Sequence, residues 1–333
     1  MFEDQGIADT APPEGGAAPA APERAMAGPV AARLAEALED GSVVMVAASE
    51  ARAEAIAGAL RTLAPEAEVI LFPAPDAIPG DLSLSSPAVA GRRTAALRRL
   101  GARGDRRVAL VASVEAAAQP VAPPEAYAGT PRAIREGEAI DAEALGAELE
   151  ALGYHHDDRI DEPGEVAVRG GVIELFPPAH AEPVRIEHHD GWVTSIRAYD
   201  PLTQRSDHAE QGVEIEPIAE PPVGADAVSL FAHLADSAIA IDPGSDERRR
   251  SLRALFEDAR RLSETPSRVH LPLDDAGWTA ALRGRARVDV AAAGERPCRR
   301  FAEPDREDRE ALRRSRGLGG GQWRRHLARH PRP

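Results

Sequence analysis

The sequence predicts an α/β protein: a lobe built on a parallel sheet, interrupted by a small α+β domain with an antiparallel sheet. Three observations carry this. Short continuous apolar runs alternate with amphipathic helices over residues 29–120, the pattern of strands buried on both faces between helices. Short strand-like segments, closely spaced and punctuated by Gly, Pro and Asp, then follow one helix, the pattern of antiparallel pairing. After Pro222 the helix–strand alternation resumes with a lone strand, "AIAID". One strand cannot form a sheet by itself, so it is expected to return to the first sheet. The lobe is then discontinuous and the β-rich domain is an insertion.

Each element has a local reason. "PVAARLAEALED" puts Val30, Leu34 and Leu38 on one helical face, and Gly41 ends it. "SVVMVAAS" is a buried-type strand, "EARAEAIAGALRTLAP" a helix stopped by Pro65, and "AEVILFPAP" a second strand. "SPAVAGRRTAALRRLGARG" reads as an Arg-rich helix, and "RRVALVASVEAAAQP" as a third strand and a short helix. The inserted domain, residues 121–212, opens with the linker "VAPPEAYAGTPR" and the helix "EAIDAEALGAELEALGY". Its strands are "EVAVRG", "GVIELFPP", "PVRIEHHDG" and "WVTSIRAYDP", with "GVEIEPIA" as a further strand at the boundary. Residues 213–292 return to the lobe: "AVSLFAHLADS" reads as a helix, "AIAIDP" as a strand, and "ERRRSLRALFEDARRLSE" as an amphipathic helix with Leu252, Leu255, Phe256 and Ala259 in line. Residues 1–28 are acidic and rich in Pro, Ala and Gly and read as a disordered leader; residues 293–333 read as a disordered tail.

Composition excludes several chemistries. The chain contains no Lys, so all 40 of its basic residues are Arg. A Walker A loop needs its Lys on the phosphates, and a Schiff base needs a Lys amine; neither is possible. Cys298 is the only cysteine, which excludes an internal disulfide and any Cys-based zinc site and suits a reducing cytoplasm. No apolar run approaches the ~20 residues that span a bilayer. The net charge of -15 argues against a broadly basic nucleic-acid surface. With 4% aromatic residues, the core must rest on Ala, Val, Leu and Ile.

Candidate sites are few. The turn after the first strand runs into "EARAEA", with no Gly-rich loop and with acid where a phosphate would lie. "YHHDDR" and "IEHHDGW" each pair two His with acid, but neighbours on a strand face opposite sides, so the spacing suits a shared metal poorly. No G-x-S-x-G or H-E-x-x-H pattern is present. The inserted sheet is more informative. Alternation puts Val166 and Val168 on one side and Ala167 and Arg169 on the other. It likewise puts Val184 and Ile186 opposite Arg185, Glu187 and His189. Both apolar pairs fit one buried face, which leaves Arg169 and Arg185 together on the other. Arg is favoured at protein interfaces for its planar, bidentate fork.

The stretch "LGYHHDDRIDEPGEVAVRGGVIELFPPAHAEPVRIEHHDGWVTSIRAYDPLTQRS", residues 152–206, resembles the UvrB interaction domain of the bacterial transcription-repair coupling factor family. The shared elements are G-Y, G-E-x-A-x-R-G, an apolar strand running to F-P, P-x-R-I-[DE], S-[IL]-R-x-[FY]-D and T-Q-R, in order and with matching spacing. The upstream "LFPAPDAIPGD...SP...GRRTAALRRL" resembles the family's first lobe, a degenerate P-loop-type ATPase fold; "AIPGD" lacks the aromatic usual there. The resemblance implies a non-catalytic module of nucleotide-excision repair whose partner is the repair protein UvrA, with no cofactor, metal or small-molecule substrate. It implies UvrA contacts at Arg169, Arg185 and His189, the last replacing an aromatic. The family's polymerase-binding and motor domains find no counterpart in the pattern. That leaves two origins, a standalone adaptor or the remnant of a longer translocase gene. A third reading is weak DNA binding through "GRRTAALRR" and "ERRRSLR".

Overall fold

A computed structural model describes residues 25–77, 85–129, 131–262 and 270–291. The leader before residue 25, the "IPGD" motif, Cys298 and the tail lie outside the described residues. The first segment gives α1 (Ala27–Ala37), β1 (Val43–Ala47), α2 (Glu50–Leu63), β2 (Glu68–Phe72), α3 (Pro87–Gly101), β3 (Val108–Ser113), α4 (Val114–Ala117) and β4 (Pro120–Val121). A 3-10 turn at Pro124–Tyr127 leads to β5 (Arg132–Arg135), α5 (Ala142–Ala151), β6 (His155–His156), β7 (Glu165–Arg169), β8 (Val172–Leu175), β9 (Val184–His189), β10 (Trp192–Tyr199), β11 (Ser206–Ala209) and β12 (Gly212–Ile215). The last segment gives β13 (Val228–Ser229), a 3-10 helix at Leu230–Leu234, β14 (Ala238–Ile241), α6 (Ser245–Leu262), α7 (Asp275–Leu282) and β15 (Arg287–Val288).

The fold is mixed α/β. One five-stranded sheet, ordered β15-β14-β1-β3-β2, is parallel throughout. β1 and β3 are buried along their whole length, which is why they read as unbroken apolar runs. Their alternate residues serve two cores. Val44, Val46 and Leu110 pack with Phe72, Leu97, Phe231 and Trp278 on one side. Val43, Met45 and Val111 pack with Leu34, Ile56 and Leu60 on the other. The strand β14, drawn from residues 238–241, lies beside β1 with Ile239 opposite Val44.

The second sheet, β11-β10-β9-β8-β7-β6, is antiparallel except at the β6–β7 edge. Its inner face packs Val166, Ile173, Leu175, Ile186 and Ile196 against Leu145 and Leu149 of α5. Residues 213–218 belong with this domain and not with the return to the lobe. Gly212–Ile215 pairs with Arg132–Arg135, and Val213, Ile215 and Ile218 join the inner core. A boundary drawn at 213 from composition therefore falls in the middle of a strand pair. The segment "AVSLFAHLADS", expected as a helix, does not form an α-helix. Val228 and Ser229 pair with Val121 and Pro120 and hold that end extended. The Arg285 guanidinium then takes the carbonyls of Phe231 and Leu234 at 2.6 and 2.7 Å, ending the short 3-10 helix.

The inserted domain sits on α3, and glycine makes the contact possible. A Cβ on Gly91 would lie 2.0 Å from the Pro178 Cβ, so the helix can meet the Pro177–Pro178 corner only without a side chain there. Gly58, on α2, has open space around it. Gly58→Ala is expected to stabilise the protein by about 0.5–1 kcal/mol, the ordinary helix-interior gain. Gly91→Ala is expected to lose about 1–3 kcal/mol to overpacking, which exceeds that gain. Urea unfolding of the two variants side by side gives the comparison; equal and positive shifts would disprove the contact.

One buried imidazole sets a pH dependence. His233 is 7% exposed, with its Nε2 3.0 Å from the Ala122 carbonyl and its ring edge-on to Tyr127. Burial pushes its pKa below the ordinary 6.5; the Ala122 carbonyl and Glu125 offset only part of this. Burial does the same to His180. A depressed pKa means that the folded state resists protonation. The contribution is present above about pH 6.5 and is lost as pH falls through the folded value. His208, raised by Asp207 and Glu210, acts in the opposite sense but is exposed. Unfolding midpoints are thus expected to drop between pH 7.5 and 5.5, and less so in His233→Gln. An equal drop in that variant would remove His233 as the cause.

Candidate protein-interaction face

The outer face of the antiparallel sheet is where the candidate residues gather. β7 turns into β8 through Gly170, which adopts φ +57°, and Gly171, where a Cβ would come 2.9 Å from the His188 carbonyl. The pair permits a tight turn pressed against β9, whose His188 N–H donates to the Gly171 carbonyl at 2.8 Å. Arg169 is the last residue before this turn. Arg185 lies on β9 directly opposite Glu174 of β8 and directly opposite Arg197 of β10.

Glu174 organises the face. Its Oε1 accepts from Arg185 Nε at 2.8 Å and Nη2 at 2.5 Å, and its Oε2 lies 3.6 Å from Arg169 Nη1. The Arg185 guanidinium also stacks 4.8 Å above the ring of Tyr199, which is fully buried. Burial and the neighbouring Glu174 push the Tyr199 pKa up, so its hydroxyl stays protonated and donates to the Ile160 carbonyl at 3.4 Å. Arg169 is freer: its side chain is 50% exposed against 25% for Arg185. It also donates to the main-chain carbonyl of Asp158. Arg197 makes no ion pair among the described residues.

The structure therefore places Arg169 and Arg185 on one face, as alternation implies, but that face is not simply exposed. Ala167, Phe176, Tyr199 and Ile160 form a small second cluster on it. The strands' outward apolar residues are covered there by the loop carrying Ile160. His189 stands at the far end, 82% exposed, 3.4 Å from Asp190 and away from the Glu174 pairings. Glu174, Arg197 and Tyr199 were within reach of the sequence, because "VIEL" and "SIRAY" alternate; their joining into one ion-pair and stacking set was not.

The other candidates resolve differently. His155 and His156 are exposed and face Glu165 (3.7 Å) and Glu150 (3.0 Å) separately. Among the described residues, the cluster with metal-ligand spacing is instead Glu182, Asp207 and His208. The Arg-rich helices are engaged in ion pairs. Arg93 is buried over the Phe72 ring and bonds Glu220 at 2.7 Å, Arg98 bonds Glu216, and Arg99 lies 3.0 Å from Glu68. In α6, Arg248 pairs with Glu115, buried Arg249 with Asp246 and Asp275, and Arg250 with both of those. At the C-terminal edge of the parallel sheet, carboxylates fill the turn after β1. The Ala48 N–H donates to Asp242 at 3.0 Å, and Arg52 pairs with the same carboxylate, its Nη2 2.8 Å from Oδ1. Glu50 takes the Ala74 N–H at 2.9 Å and the Ser113 hydroxyl. Among the described residues no helix is long and apolar enough to cross a membrane.

The UvrB interaction domain family matches residues 133–220, which include β12. These residues are therefore like a domain found in DNA-repair proteins. The chain is similar to transcription-repair-coupling factors: 29% identical to that of Bacillus subtilis (strain 168) over 217 residues, 33% to that of Myxococcus xanthus over 201, and 30% to that of Escherichia coli (strain K12) over 122. These matches cover 64%, 58% and 37% of this chain and 18%, 16% and 11% of those relatives. The chain thus carries a module like the N-terminal module of transcription-repair coupling factors, and spans less than a fifth of the length of these relatives.

Proposed function

We propose that this module is a non-catalytic docking unit of nucleotide-excision repair that binds a UvrA-type protein through the outer face of its inserted sheet. The observation that carries the reading is the Arg169–Glu174–Arg185 set. One carboxylate holds two guanidinia in place on a family-matched domain, and a pre-positioned Arg fork loses less entropy when it meets a partner's carboxylates. His189 belongs to the same proposed contact. The test is calorimetric titration with UvrA from the same organism. Wild type is expected to bind and Arg169→Ala/Arg185→Ala to lose at least about 2 kcal/mol. Equal binding by both would refute the assignment.

The parallel lobe is, on this reading, a degenerate P-loop-type scaffold. Open α/β sheets bind ligands beyond the carboxyl ends of their strands. Here Asp242 and Glu50 already occupy the main-chain and side-chain donors at that edge. A phosphate would meet two carboxylates and no Lys. Titration with ATP and magnesium is expected to give no heat at millimolar nucleotide; micromolar binding would contradict the reading. The ion pairs of α3 and α6 argue likewise against DNA as the main partner.

A further inference from the structure

We propose that Trp192 is an aromatic anchor of the same interaction face, inserting its indole into an apolar site of the partner that is flanked by carboxylates. The inference rests on the docking function proposed above. Its evidence is a placement that neither Arg169 nor Arg185 requires.

Asp190 and Gly191 both adopt left-handed backbone, φ 51° and 78°. A two-residue turn of this kind joins β9 to β10 and sets His189 directly opposite Trp192. Residues paired in this way share a face and lie about 5 Å apart at Cβ. Trp192 is therefore on the face that carries Arg185, Arg197 and Arg169, four residues along β9 from Arg185 by way of His189. It is 55% exposed, whereas Trp278 is 5% exposed in the lobe core.

The backbone beneath the indole is fixed on both sides. On one side it pairs with His189; on the other Trp192 bridges to Ala139. The Ile140 N–H donates to Gly191 at 2.8 Å, the Val193 N–H donates to Glu138 at 2.9 Å, and the Gly137 N–H donates to Val193 at 2.8 Å. A large aromatic held out on a braced hairpin tip has little conformational entropy left to lose, which favours its use as an anchor. His189 beside it is a smaller and more polar ring. The partner's chemistry follows from the face: Arg169, Arg185 and Arg197, the last without an ion pair among the described residues, outnumber Glu174 and Glu187 there, and on a chain with net charge -15 they call for acidic groups beside the apolar site.

The experiment titrates UvrA into the wild-type chain, Trp192→Ala, Trp192→Phe and Arg169→Ala/Arg185→Ala, following calorimetric heat and indole emission. Trp192→Ala is expected to weaken binding about 30-fold, the effect of removing a hot-spot residue, with an unchanged thermal midpoint because the side chain is exposed. Trp192→Phe is expected to restore most of the affinity, and the blue shift on binding is expected to vanish in Trp192→Ala. If Trp192→Ala binds like wild type while the double Arg variant does not, the docking function stands and this inference fails. If wild type does not bind UvrA at all, both fail. A wild-type dimer that Trp192→Ala converts to monomer, seen by sedimentation without UvrA, would assign the indole to a second copy and overturn the proposal.

Discussion

Made singly, Arg185→Ala and Arg169→Ala are expected to weaken UvrA binding by about 2 kcal/mol each, and the double variant by less than the sum. The shared carboxylate is the reason. Glu174 holds Arg185 through two short hydrogen bonds and Arg169 through one longer contact. Removing either cation changes how Glu174 positions the other. The two variants should differ in stability. Arg169 is half-exposed, and its loss should cost at most about 1 kcal/mol, as for a surface pair. Arg185 stacks on Tyr199 and pairs with Glu174, which is only 12% exposed, so its loss leaves a mostly buried carboxylate short of a partner and should cost about 1–3 kcal/mol. Urea unfolding alongside the titrations separates the two effects. Strictly additive binding losses would show that Glu174 does not couple the pair.

The largest stability effect is expected at Asp242, far from that face. Its side chain is fully buried at the end of β14, where it accepts from Ala48 and pairs with Arg52. Asp242→Ala orphans the Ala48 N–H and a guanidinium that is only 17% exposed. Breaking a buried pair from one side costs about 3–5 kcal/mol. The lower end is expected, because Arg52 keeps the Ala25 carbonyl at 2.8 Å. Replacing both partners, as Arg52→Met/Asp242→Leu, is expected to cost less than Asp242→Ala alone, because no charge is then left unpaired. An unshifted urea midpoint in Asp242→Ala would show that the pair contributes nothing.

These two sites show what was legible in the chain. Arg169 and Arg185 could be put on one face from alternation alone, because a strand's side chains obey a period of two whatever its neighbours do. The Asp-Gly pair at 190–191 is also a local signal, of turn chemistry and not of strand period. α7 was not legible, since its eight residues carry little periodicity; its place is set by Arg249, which bonds Asp246 on α6, the Leu273 carbonyl just before α7 and Asp275, the first residue of α7.

By itself the sequence determined the apolar runs that become β1 and β3, the helices α2 and α3, and the exclusion of lysine chemistry. All are local properties of composition and period. Only the tertiary structure decided that Asp242 closes the turn after β1, that Pro178 rests on Gly91, that Gly212–Ile215 pairs with Arg132–Arg135, and that Trp192 shares a face with three arginines. The first of these joins groups 194 residues apart. Such contacts depend on strand register and on which elements meet, and no local period encodes either.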